Sequence, residues 1–78
     1  MATADAAQRY MAVAARRQRI REQLDWVDAE RVAWQEHEAD RARPVEHRRY
    51  PPVPSVPREA LRELHAVLIG ELARLGDG

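Results

Sequence analysis

The stretch PVEHRRYPPVPSVP, Pro44 to Pro57, decides how this chain folds, because it carries all five prolines of the 78 residues. Each proline lacks an N–H and turns the residue before it away from helical geometry, so neither a helix nor a central strand runs through the segment. An extended, polyproline-like connector over 43–56 is therefore expected. It divides the chain into two parts that must be read separately.

Upstream, from Thr3 to Arg43, there is no Gly and no Pro, and the composition is rich in Ala, Arg, Glu, Gln and Leu. These are strong helix formers, and one long helix over 4–42 is predicted. Thr3 or Asp5 is placed to cap its start, with Gln8 three residues after Asp5 in a capping-box-like spacing. Downstream, Ser55 is placed to cap a second helix over 57–75, with Pro57 in its first turn and Gly76 at its end. The fold class read from this pattern is all-α: a single-domain helical hairpin with a long N-terminal helix and a shorter Leu-rich C-terminal one. Coiled-coil-like association is expected of it.

The apolar periodicity carries that last expectation. Tyr10, Val13, Arg17, Ile20, Leu24, Val27, Arg31 and Trp34 alternate steps of three and four, which is a heptad seam interrupted by two arginines. Arg17 and Arg31 are read as laying their methylene stems along the seam and sending the guanidinium to water. The second helix lines up Leu61, Leu64, Leu68, Leu72 and Leu75, with Ala60, Val67 and Ile69 widening the face. A weaker stripe of Met11, Ala15, Trp26, Ala29 and Ala33 falls opposite the first seam. A helix of about 57 Å cannot be covered by one about half as long, so something beyond the second helix is needed.

Charge order orients that association. Residues 1–21 hold five Arg and one Asp, net +4, whereas residues 22–40 hold one Arg and seven acids, net −6. A parallel homodimer would stack like charge on like charge. An antiparallel one crossing near Glu22 sets Arg16, Arg17, Arg19 and Arg21 against Asp25, Asp28 and Glu30, with Tyr10 opposite Trp34, Val13 opposite Arg31 and Ile20 opposite Leu24. The expected partner is a second copy in an antiparallel homodimer or higher oligomer, or else an unidentified protein.

Catalytic and metal chemistry find little purchase. The chain has no cysteine, one serine set among prolines and no Gly-rich phosphate loop. His37, His47 and His65 lack the spacings of helical zinc or di-iron sites, so Glu36, His37, Glu38 and Asp40 read as a solvated acidic stretch. No catalytic residue, metal site or cofactor is expected. The function expected is that of a small non-catalytic interaction protein, structural or adaptor in role.

The alternative is a DNA- or RNA-associated accessory protein of a phage or mobile element, contacting phosphates through Arg16, Arg17, Arg19, Arg21, Arg48 and Arg49 with Tyr50 stacking on a base. A formal net charge of zero and the adjoining acidic block weigh against it. Arg48, Pro51 and Pro54 also match an R-x-x-P-x-x-P pattern, for which the spacer reading is preferred. All thirteen basic residues are Arg, which suggests a GC-rich bacterial or phage source. No apolar run long enough for a membrane span is present, and a cytoplasmic location is the default expectation.

Overall fold

The computed structural model describes residues 2–76. It shows an all-α helical hairpin: α1 runs Ala2–Arg41, α2 runs Arg58–Leu75, and the connector between them holds one 3-10 turn at Val45–His47. The forty residues of α1 amount to about 60 Å and the eighteen of α2 to about 27 Å. The molecule measures 68 × 18 × 18 Å, with a radius of gyration of 18.7 Å. A compact domain of this length would have about 11.5 Å, so the fold is a rod.

The core is the line along which the two helices meet. Ile20 and Val27 of α1 and Leu61 and Leu68 of α2 are buried, and Leu24, Trp34, Val56, Leu64, Leu72 and Leu75 pack around them. Ion pairs brace both ends of the hairpin: Arg58 reaches Glu38 at one end, and Arg16 approaches Glu71 to 3.9 Å at the other. Such exposed pairs contribute tenths of a kcal/mol each and serve mainly to set register.

Helix ends depart from the capping expected. Asp5 lies in the first turn of α1 rather than ahead of it, where its charge suits the helix dipole; a cap from the Thr3 side chain lies outside the described residues. The N-cap of α2 is Pro57, not Ser55, and no side chain caps that end. Val56 precedes a proline and is held out of helical geometry, so a helix cannot start at Ser55. Pro57 sits at φ −60°, ψ 149°, and its carbonyl accepts the first helical bond, from the Leu61 N–H at 3.1 Å.

The connector is fastened to α1 rather than left loose. Asp40 is buried at 4% exposure, and its two carboxylate oxygens accept the successive backbone N–H groups of Arg49 at 2.6 Å and Tyr50 at 3.1 Å. Two neighbouring N–H groups converging on one anion form a small backbone nest. Holding that shape places Tyr50 at φ 53°, a left-handed conformation that costs a non-glycine residue about 1–2 kcal/mol. Arg48 completes the fastening by donating to the carbonyls of Arg43 and Arg41 at 3.0 and 3.1 Å, which satisfies the end of α1. Further along, Trp34 Nε1–H donates to the Val56 carbonyl at 2.9 Å and pins the entry to α2.

Candidate functional site

The front seam of α1 divides into a filled and an empty part. From Ile20 to Trp34 it is occupied by α2 of the same chain. The C-terminal end of α2 reaches Arg17, whose Nη2 donates to the Gly76 carbonyl at 2.7 Å. That hydrogen bond lies at an exposed position, and Arg31 is exposed as well. Beyond that point Val13 is half-buried and every side chain from Asp5 to Ala12 is exposed. Tyr10 and Met11, at 70% and 69% exposure, stand on a helical arm that α2 is too short to reach.

The opposite face of α1 is open along much of its length. Ala15 and Ala29 are exposed, Trp26 is 45% exposed, and Ala33 is half-buried beside the connector. Next to Ala33 lies a groove of about 370 Å³ between α1 and the connector, walled by Glu30, Glu36, Pro52 and Pro54. Glu30 Oε2 is buried without a hydrogen-bond partner among the described residues. Of the association residues expected from sequence, Ile20, Val27, Leu61 and Leu68 form the core; Leu24, Trp34, Leu64, Leu72 and Leu75 line it. Tyr10 and Trp26 remain outside it, as does the half-buried Val13.

The candidate polyanion contacts do not form one basic strip. Arg16 faces Glu71, Arg17 holds Gly76, and Arg48 is spent on the end of α1. Only Arg19, Arg21 and Arg49 keep side chains without a polar contact of this kind among the described residues, and Arg19 and Arg21 lie about 160° apart around the helix. The R-x-x-P-x-x-P pattern is similarly turned inward: Arg48 is engaged, and Pro51 and Pro54 are half-buried along α1, leaving Pro52 and Val53 outward.

Charge is tuned at one place. Asp40 has its pKa lowered: the hydrogen bond from the Arg49 N–H favours the carboxylate most, burial opposes it, and the Tyr50 N–H with the charges of Arg43 and Arg48 adds to the lowering. Every one of these partners is structural, within the fastening of the connector. Trp34 and His37 meet edge to face with centroids 5.9 Å apart. Among the described residues no three His, Asp or Glu side chains converge on a metal-sized site, and no helix is long and apolar enough to cross a membrane. No known protein family, characterised protein or solved structure matches the chain.

Proposed function

We propose that this chain is a non-catalytic interaction module whose work is done by α1, as a structural or adaptor element completed by another helix. The observation that supports it is surface. A compact monomer of 9.0 kDa exposes about 4,850 Å², whereas this chain exposes 6458 Å². The excess of about 1,600 Å² is borne by a rod whose exposed large hydrophobic residues include Tyr10, Met11, Trp26 and Val32.

The arm supplies the test. A helix of a dozen residues with no neighbour is marginal in water, because nucleation is costly and propagation weak. Protection of the backbone N–H groups of residues 9–16 against hydrogen exchange therefore reports a covering partner. The reading expects that protection to rise with protein concentration toward the level of residues 20–34. Arm amides that exchange rapidly at every concentration, while residues 20–34 stay protected, contradict it.

A further inference from the structure

We infer that a second copy of this chain docks antiparallel along the back face of α1, crossing at Glu22, with its Met11 seated beside Ala33 at the mouth of the connector groove. The inference rests on the association reading above and names its partner. It moves the contact away from the front seam, which α2 fills, to the face that remains open.

Spacing defines the face. Met11, Ala15, Gln18, Glu22, Trp26, Ala29 and Ala33 step by three or four, so they form one stripe along α1, turned away from Ile20 and Val27. Antiparallel pairing about Glu22 brings Met11 opposite Ala33, Gln18 opposite Trp26, and Ala15 opposite Ala29. Each bulky side chain meets a smaller one, and small Ala pairs let the backbones approach. The arrangement is self-complementary, as a two-fold interface requires. Its one like-charge meeting is Glu22 with itself, at an exposed position where the Gln18 amide already donates to it at 3.4 Å.

Charge chooses the direction. Antiparallel pairing lays the net +4 of residues 1–21 on the net −6 of residues 22–40 of the other copy, in both halves of the contact. Among the described residues, Arg19, Arg21, Asp25 and Glu36, which flank this stripe, make no ion pair within the chain. Area agrees: a stable interface removes about 800 Å² from each partner, half of the excess this rod exposes.

The chain has no cysteine, so single replacements report register cleanly. Ala15→Cys and Ala29→Cys are prepared separately in the full chain, checked for helicity by circular dichroism, and oxidised alone and as an equal mixture. In the antiparallel register identical positions lie about 21 Å apart, far beyond the 7 Å limit between disulfide-linked Cα atoms. The expected result is a linked dimer at least several-fold more abundant in the mixture than in either variant alone. A heavier species whose Ala15→Cys form links to itself, or in which no pair links, overturns the back-face dimer and leaves association standing. A mass of 9.0 kDa at every concentration overturns both.

Discussion

Replacing Leu61 by Ala strikes the centre of the core that the described residues form. Leu61 is 1% exposed and belongs to a buried set of just four residues with Ile20, Val27 and Leu68. The change removes three carbon atoms, about 2.4 kcal/mol of transfer free energy, and a residual void raises the cost to about 3 kcal/mol. A chain of 78 residues has a stability of about 4–12 kcal/mol by the usual range per residue. This one buries about half of the surface its extended chain would expose, which places it near 4 kcal/mol. L61A therefore lowers the folded-to-unfolded ratio about a hundredfold and leaves a visible unfolded population in water. The assay is urea unfolding at one fixed protein concentration, followed by circular dichroism at the helical band and by Trp fluorescence. V67A is the control, since Val67 is 54% exposed on the outer side of α2 and its truncation should cost less than about 0.5 kcal/mol. An L61A midpoint within error of the parent, or a V67A loss as large as that of L61A, would refute the packing described.

Three further outcomes follow from named contacts. Trp34→Phe removes the donor to the Val56 carbonyl and should cost about 0.5–1.5 kcal/mol in the same urea assay, whereas Trp26→Phe should cost little; equal losses would show that the Trp34 bond does not hold the connector. Gly70→Ala should stabilise by about 0.5–1 kcal/mol, because Gly70 lies inside α2 and an added Cβ meets nothing within 4 Å; a loss would reveal a close neighbour. The lowered pKa of Asp40 means that its contribution is complete above the ordinary value of 3.8 and is lost as pH falls through the folded value. The melting temperature should accordingly drop on acidification to pH 3, and drop less in Asp40→Asn. Parallel pH profiles of the two proteins would show that the connector nest does not depend on the carboxylate.

Much of the architecture is legible from residue pattern alone, and what escapes it has a physical cause. Five prolines within fourteen residues interrupt any helix, and the Leu spacing of α2 matches the front seam of α1, so the hairpin follows from local chemistry. The cap at Ser55 fails because the preceding-proline restriction on Val56 outweighs the capping preference of the serine just before it. Val56 reads as connector, yet it closes the core with its side chain and accepts Trp34 with its carbonyl. Asp40 and Arg48 are hidden for a different reason. They bind main-chain groups, which every residue carries, so no spacing of residue types marks them. Asp40 reads instead as one more acid in a solvated run.

The two apolar faces of α1 are both visible as stripes, but sequence does not say which one α2 takes. The difference is quantitative. The front stripe offers Ile20, Leu24, Val27 and Trp34 to the five leucines of α2, and the back stripe offers mostly Ala. The larger side chains bury more apolar area per turn and win the intramolecular contact. What is left is a small-residue face with Met11 at one end and Trp26 within it, suited to close approach by a second helix.

The central claim is that α1 is completed by another chain, and the mass of the purified 78-residue chain in solution tests it most directly. Light scattering over micromolar to millimolar concentration, with circular dichroism on the same samples, should give about twice 9.0 kDa at the upper end. Dissociation on dilution should be accompanied by a partial loss of helicity from the arm. A species of 9.0 kDa throughout, with helicity undiminished on dilution, would contradict the account.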